Sequence, residues 1–285
     1  MTDQRPSVSD GVTRRQSYLR RQRNRSWAIA ATSTLAVVTA IIVLVPLSPG
    51  WPQVKSSFFD REVFVETFPN LVSAFWLDIK IFLAAVPCIF VLALIIALAR
   101  NARAPALFPL RAFAAIYTDV FRGIPVILTI YLIGFGVPGL GLSRTWGQPI
   151  IWGTVALILA YSAYVAEVFR AGIESIHEDQ RAAARSLGLT SSQTMRSVVL
   201  PQAMRRVAPP LMNDFISLQK DVALVSLIGP VEILRRAGIE KSLFANFTPY
   251  VGAAVIFLSI TIPLTRTADY LMARQRRRTG GTAVA

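Results

Sequence analysis

Residues 167–201 read EVFRAGIESIHEDQRAAARSLGLTSSQTMRSVVLP, and this polar segment lies between two apolar stretches. Helix-forming residues run through Arg181–Leu187 and stop at Gly188, a residue that commonly ends helices. Thr190 and Gln193 then have the spacing of a capping box, which begins a new helix. The segment therefore predicts two short helices that meet at a glycine turn.

The first predicted helix has an unusually small surface. Its three consecutive alanines at 182–184 carry only methyl groups, so another protein could approach the helix closely. Arg181 and Arg185 are four residues apart and therefore lie on one side of that helix. Pro201 is expected to end the second helix. The segment has the properties of a compact docking surface.

The composition of the whole chain is that of a membrane protein. Of its 285 residues, 53% are hydrophobic and 16% are charged, and the mean hydropathy is +0.50. Soluble domains usually have about 25% charged residues. The net charge of +14 could attract either nucleic acid or an anionic membrane surface. The hydropathy favours the membrane, so we expect lipid contacts and no nucleic-acid partner.

The residues that carry most catalytic and metal chemistry are scarce. Cys88 is the single cysteine and His177 the single histidine, which argues against a disulfide framework, a zinc site or a serine–histidine triad. The chain also has no GxxxxGK[ST], GxSxG or HExxH motif. We therefore expect a non-enzymatic chain with no cofactor or metal of its own, and any energy that it uses comes from another subunit.

Six stretches reach the roughly 20 mostly apolar residues that a membrane-spanning helix needs. They are residues 27–47, 71–99, 116–137, 150–168, 211–228 and 249–272. The third is interrupted by Arg122, Gly123 and Pro125, and the fifth contains charged residues. The predicted fold class is an all-α integral membrane protein with about six transmembrane helices.

The positive charges set the expected orientation. Of the 30 Lys and Arg residues, 21 lie in the N-terminal segment, two alternate loops and the C-terminal tail, and six lie on the opposite side. Cytoplasmic loops are the positive ones, so both termini are expected in the cytoplasm. The predicted divisions are a cytoplasmic Arg-rich tail without regular structure or at the lipid surface (1–26), an extra N-terminal span (27–47), an extracytoplasmic linker (48–70), a transmembrane domain (71–273) and a cytoplasmic tail (274–285).

Polar residues form a stripe on the fifth predicted span. They are Asn213, Asp214, Ser217, Lys220 and Asp221, spaced three, four or seven apart. Charges inside a bilayer are costly and usually face a cavity or a partner. The stripe could line or gate a path for a zwitterion, or it could lie near the cytoplasmic end and pair with neighbouring helices.

The 167–201 segment resembles the signature loop of bacterial ABC importer permeases. That family has Glu-Ala-Ala, three residues, Gly, nine residues, Ile, one residue and Leu-Pro; this chain has Ala182-Ala183-Ala184, Gly188, Val198 and Leu200-Pro201 at the same spacing. The chain departs from the family at Ala182, where the family has Glu. Glu178, one turn earlier, is a candidate substitute. We call residues 167–201 the coupling loop.

Longer matches resemble the polar amino acid branch of that family, which carries histidine, glutamine, arginine or glutamate. They are the segments at 121–125 (FRGIP), 164–170 (YVAEVFR), 200–203 (LPQA), 213–221 (NDFISLQKD) and 225–229 (VSLIG). The resemblance implies a five-span core, here preceded by one extra span. It also implies ATPase subunits that bind ATP and Mg, a second permease subunit that is identical or similar, and an extracytoplasmic amino-acid-binding protein.

The sequence therefore predicts a permease subunit in a bacterial cell membrane that imports a polar amino acid. The expected contacts with the ATPase come from Glu178, Arg181, Ala182, Ala183, Ala184, Arg185, Gly188, Leu200 and Pro201. Two alternatives remain: the same machine for another small zwitterion such as an opine, and an ion-coupled secondary transporter that uses the charges of the stripe.

Overall fold

The computed structural model describes residues 8–102 and 104–280, which divide into two units. The first unit, Met1–Phe59, contains α1 (Val8–Leu44) and α2 (Trp51–Phe58). The second, Asp60–Ala285, contains α3 (Arg61–Arg100), α4 (Phe108–Gly123), α5 (Val126–Gly136), α6 (Pro149–Glu174), α7 (Glu178–Ser186), α8 (Ser191–Thr194), α9 (Leu200–Asp221), α10 (Ile233–Phe244) and α11 (Thr248–Gly280). Short 3₁₀ turns lie at Pro105–Leu107, Pro138–Leu140 and Val222–Ile228, and the described residues include no β-strand.

The first unit is dominated by one long helix. Its stretch Asn24–Leu44 is apolar enough to span a membrane, and the side chains there are exposed. The helix begins at Val8, so residues 8–26 are helical in the structure, whereas the sequence predicted a tail without regular structure or at the lipid surface. Residues 1–7 of that predicted tail, like 281–285 of the C-terminal one, lie outside the described residues.

The all-helical membrane class is confirmed, but the number of spans differs from six. Four described stretches are long and apolar enough to cross a bilayer: Asn24–Leu44, Trp51–Arg100, Pro149–Glu174 and Thr248–Arg274. The third predicted span is a bent pair, Pro105–Gly123 and Val126–Leu140, whose axes differ by 107°. The bend falls where the chain reads Ile124-Pro125, because the residue before a proline is pushed out of helical geometry.

The fifth predicted span does not satisfy the same test. Its residues form the second half of α9 and the 3₁₀ turn Val222–Ile228. The helix carries charges along its length and two consecutive prolines, Pro209 and Pro210, so no long apolar window exists there. By length and composition, the described residues include four helices that could cross a membrane, or five if the bent pair counts as one.

The core of the second unit forms where α3 and α6 pack together. Small side chains make this contact, among them Ala85 and Ala93 of α3 and Ala156 and Ala160 of α6, all of which are fully buried. In a bilayer, helices associate through close van der Waals packing, and small residues permit the closest approach. The alanine-rich sequence therefore holds α3 and α6 side by side.

Two ends of this bundle can now be distinguished. We call the end that carries the coupling loop the loop end; α6 runs toward it and stops at Glu174. At the opposite end, which we call the far end, Leu71 and Phe75 of α3 pack against Ile233 of α10 and Ile256 of α11. The far end is closed by this second, smaller apolar cluster.

Candidate functional site

The glycine turn of the coupling loop has the predicted geometry. Helix α7 ends at Ser186, and Gly188 follows with φ of +84°, in the left-handed region that favours glycine. The Leu189 N–H donates to the carbonyl of Ala184 at 3.2 Å and caps the helix. Both hydrogen bonds of the Thr190–Gln193 capping box are present and begin α8.

Pro201 does not end the second helix, so that prediction is wrong. Helix α8 continues through a single π-helical turn, Met195–Val199, directly into α9, and Pro201 lies in the first turn of α9. Proline lacks an N–H and crowds the carbonyl four residues earlier, and a local π turn accommodates such a residue without breaking the helix. The second half of the coupling loop is thus the beginning of a bundle helix.

The coupling loop is fixed to the bundle from one side. Ala184 is buried. Three other residues of the loop, Ile173, Ile176 and Val199, form a small apolar cluster. The Arg181 guanidinium donates to the carbonyl of Ile173 at 2.6 Å, at the end of α6. The burial of Ala184 and a hydrogen bond from Arg181 to the end of α6 therefore set the position of α7.

The other side of the loop is open. Leu187, at the glycine turn, has 84% of its surface exposed, which is unusual for a large apolar side chain. The remaining predicted contact residues divide as follows: Glu178, Ala182, Ala183, Arg185, Gly188 and Pro201 are exposed, Arg181 and Leu200 are half-buried, and Ala184 is buried. The structure therefore brings most of them to one accessible region, while Arg181 and Ala184 hold the loop in place.

An ionic cluster that the sequence did not predict lies just inside the loop end. Glu167 of α6 accepts hydrogen bonds from Arg100 of α3, at 2.8 Å, and from Arg170. Arg122, at the end of α4, is 3.7 Å from the same carboxylate. Arg100 also donates to the Thr118 hydroxyl of α4 at 2.8 Å. One carboxylate thus connects three helices near the coupling loop.

Sequence spacing could not reveal this cluster, because Arg100, Arg122 and Glu167 are separated by 22 to 67 residues along the chain. One signal was available. Arg100, Arg122 and Glu167 each stand at the edge of an apolar stretch or within it, and a charge in that position needs a partner.

The polar stripe of α9 is present but divides between two faces. Asn213, Ser217 and Lys220 are exposed on the surface of the chain, while Asp214 and Asp221 are half-buried. Within the described part of the chain, Asp221 is the stripe residue with a hydrogen bond to a neighbouring helix, accepting from the Tyr161 hydroxyl at 2.8 Å.

The depth of this contact can be estimated from α6. Tyr161 lies 13 residues before Glu174, about 20 Å from the loop end at the usual helical rise. The inner part of the stripe therefore lies well inside the bundle, and no stripe residue forms a hydrogen bond or ion pair with the described residues of the coupling loop.

A helical membrane bundle with an exposed helix–glycine–helix loop between two of its helices is a permease architecture. The chain belongs to the family described as the binding-protein-dependent transport system inner membrane component, whose model matches residues 89–277. It is a membrane subunit of a transport system.

Relatives of known name agree with this assignment. The chain is 37% identical to a probable glutamine ABC transporter permease, GlnM, of Bacillus subtilis (strain 168), over 58% of this chain and 76% of that protein. It is 32% identical to a probable amino-acid ABC transporter permease, PatM, of Vibrio harveyi, over 76% of this chain and 96% of that one.

Solved structures show the same fold. A crystal structure of an amino acid ABC transporter with histidines matches with a TM-score of 0.69 and 33% identity, over 75% of this chain and 98% of that chain. An inward-facing structure of the MetNI methionine ABC transporter matches with a TM-score of 0.58 and 20% identity, over 72% and 95%. The second likeness supports the fold alone.

Proposed function

We propose that this chain is the membrane-spanning subunit of an ABC importer for a polar amino acid. Separate ATPase subunits bind ATP and Mg and hydrolyse the nucleotide, and the coupling loop transmits their movement to the bundle. The chain itself holds no cofactor and catalyses no reaction. An amino-acid-binding protein delivers the substrate at the far end, which faces outward, and both termini lie in the cytoplasm of a bacterial cell. The charge asymmetry of the loops supports this orientation.

The observation that carries the proposal is the combination of fixed and open sides in the coupling loop. Arg181 connects α7 to the end of α6 and Ala184 is buried, while Leu187, Ala182 and Ala183 remain exposed. A partner that covered Leu187 would remove its apolar surface from water, and the alanine side chains would let that partner approach the helix closely. The partner that fits is an ATPase subunit with a groove for a short helix.

Ala182 replaces the glutamate that other permeases have, so the polar part of the ATPase contact must come from elsewhere. Glu178 and Asp179 lie in the first turn of α7, and Glu178 is one turn before Ala182. We infer that Glu178 supplies this contact.

The substrate class follows from the relatives and from the stripe. The named relatives are permeases for glutamine and for amino acids. A zwitterionic amino acid needs an anion for its amine and a cation for its carboxylate, and Asp214, Asp221 and Lys220 supply both kinds of charge. Asn213, Ser217 and Lys220 are exposed on the single chain, and exposed polar groups are costly against lipid. A second permease subunit that faces them would enclose the path.

The coupling role is tested by a matched pair of glycine substitutions. Gly188 and Gly141 both have positive φ, +84° and +80°, and both have open space where a side chain would go. Gly188→Trp and Gly141→Trp therefore impose a similar backbone strain, but Gly188 alone lies in the coupling loop. We expect Gly188→Trp to abolish co-purification of the ATPase and Gly141→Trp to leave it intact.

ATP hydrolysis is measured on the native complex in nanodiscs with amino-acid-loaded binding protein, and solute uptake is measured in proteoliposomes. Stimulation by one polar amino acid supports the proposal and identifies the substrate. A chain that purifies without an ATPase and moves solute on an ion gradient would show that the proposal is wrong. If an opine stimulates ATP hydrolysis and no amino acid does, only the proposed substrate is wrong.

A further inference from the structure

A cavity of about 370 Å³ opens between α7 and α8, on the side of the coupling loop that faces the end of α3. We call it the coupling-loop cavity. Its polar lining consists of Asn101, Arg181, Arg185, Ser191, Ser192 and Thr194. The volume is within the range of sites that hold small molecules.

The charge of this cavity has one sign. Arg181 and Arg185 line it four residues apart on α7, and no carboxylate belongs to its lining. The carboxylates of Glu174 and Glu178 line an adjoining cavity instead, which shares Asn101 and Arg181 with this one. Two guanidinium groups without a facing carboxylate form a site for an anion.

Two residues that line the cavity each carry a buried polar atom that lacks a partner. Thr194 is 5% exposed, and its hydroxyl forms no hydrogen bond within the described chain. The Arg181 Nε atom is buried and unpaired in the same way, although the guanidinium also donates to the Ile173 carbonyl. A buried polar group without a hydrogen bond costs free energy, and a rotation of these two side chains toward the cavity would let a ligand there accept from both groups.

The lining specifies which anion fits. Guanidinium groups and hydroxyls are donors that match the several acceptor oxygens of a phosphate group. The adjoining π turn Met195–Val199 is a local feature that often accompanies functional sites. We propose that the coupling-loop cavity binds a phosphate group through Arg181, Arg185 and Thr194.

Two sources could supply this phosphate. Asn101 directly follows α3, whose apolar stretch ends at Arg100, so the cavity adjoins the end of a helix that is apolar enough to lie in lipid. A headgroup of an anionic phospholipid can therefore reach it, and so can free phosphate from solution. Either ligand would connect α7 to α8 across the cavity and stiffen the loop.

Binding is measured on the purified chain in phosphatidylcholine nanodiscs, so the assay needs no ATPase and stays separate from the coupling role proposed above. Inorganic phosphate is titrated, and its binding is followed calorimetrically and as a rise in melting temperature. Arg185→Gln is expected to weaken binding about tenfold, because a charge-assisted contact is lost. Thr194→Val is expected to weaken it about fivefold without lowering the melting temperature in the absence of phosphate, since the lost hydroxyl has no protein partner.

Arg196→Gln is the matched control. Arg196 is an exposed arginine of the same loop that does not line the cavity, so its loss removes the same charge. Phosphate affinity should stay within about twofold of the unchanged chain. An equal loss from Arg185→Gln and Arg196→Gln would mean that the loop attracts anions by general charge alone, and the proposal would be wrong.

Nanodiscs with added phosphatidylglycerol distinguish the two sources. If the lipid headgroup occupies the cavity, these discs raise the melting temperature without phosphate and weaken its titration, and Thr194→Val reduces both effects. If free phosphate is the ligand, both kinds of disc give the same titration. The absence of any phosphate-dependent or lipid-dependent shift in the unchanged chain would refute the site.

Discussion

The carboxyl groups at the two ends of the bundle have different partners. At the loop end, Glu167 is surrounded by three arginine side chains from three helices. At the far end, the neighbouring carboxyl groups of Asp78 and Glu232 accept hydrogen bonds from the backbone N–H groups that begin α10. Glu167 keeps 21% of its side chain exposed, whereas Asp78 and Glu232 are 2% and 0% exposed.

Glu167 connects three helices to one another, whereas Asp78 and Glu232 cap the beginning of α10. Side-chain ion pairs can exchange partners when α3, α4 and α6 move, because each arginine has several donors. The backbone donors at the start of α10 are fixed by the helix itself, and they favour negative charge there. Burial nevertheless raises the pKa of Glu232, with the Leu234 and Arg235 N–H groups opposing that shift. The loop end is therefore suited to movement and the far end to a fixed structure.

The largest expected effect comes from breaking the ionic cluster. Glu167→Gln leaves Arg100, Arg122 and Arg170 close together without a compensating charge. We expect a loss of about 3 kcal/mol in the free energy of unfolding, discounted for partial exposure. Unfolding in SDS titrations measures this loss, and stimulated ATPase activity of the complex should fall with it. An unchanged stability would mean that water already screens the cluster.

Packing provides the second test, since both ends contain a glycine where α6 approaches another segment. A Cβ on Gly172 would overlap the Val207 side chain at the loop end, and a Cβ on Gly153 would lie 2.6 Å from Val225. Gly172→Ala and Gly153→Ala should each cost about 2 kcal/mol by overpacking. Val207→Ala should rescue the former and leave the latter unchanged, as measured in the same SDS titrations. A failure of that rescue would place the strain elsewhere.

A third, smaller effect is expected when the far-end cap is removed. Asp78→Ala deprives the Ile233 N–H of its acceptor at 3.2 Å and leaves it buried. The expected loss is about 1.5 kcal/mol in the free energy of unfolding. Proteolysis between α9 and α10 should become faster in this variant but not in Glu167→Gln, because the lesion is local. Equal cleavage rates would remove the distinction between the ends.

The smallest effect is expected from Asp78→Asn, and it distinguishes the two ends of the bundle most clearly. Asp78→Asn keeps a carbonyl oxygen for Ile233 and removes one of two adjacent buried acids. The change in stability should stay within about 0.5 kcal/mol, because the hydrogen bond survives and like-charge repulsion falls. Replacing the acid by an amide is thus expected to leave the stability nearly unchanged at the far end and to lower it at Glu167. Thermal unfolding of the Asp78→Asn and Glu167→Gln variants in the same detergent compares the two losses. Similar losses would show that both ends depend on charge alone.

Much of this architecture follows from local sequence patterns. The Gly188 turn and the Thr190 capping box depend on residues within a few positions of each other, and both were predicted. The interruption before Pro125 was also visible, but its 107° bend was not, because the angle depends on what the two halves pack against. The prediction that Pro201 ends a helix was wrong because proline is also common in the first turn of a helix.

Long-range contacts explain what the sequence could not reveal. Hydropathy located α3 only from residue 71, although the helix begins at Arg61 after the Asp60 cap, because its first two turns are polar. The stripe on α9 was recognised, but only the fold shows that Asp221 turns toward Tyr161 while Lys220 turns away. Periodicity assigns residues to a face of a helix, and it cannot state which neighbour that face meets.

The uninterrupted path from α8 through the π turn into α9 has a mechanical consequence. Residues 191–221 form one rod of about 45 Å, with the capping box at one end and the Asp221–Tyr161 contact at the other. A π turn stores one extra residue, and absorbing or releasing a residue turns the rest of a helix by about 100° around its axis. Under the coupling role proposed above, a push on α8 reaches the stripe as a rotation of α9 about its own axis, and that rotation changes which polar side chains of the stripe face Tyr161.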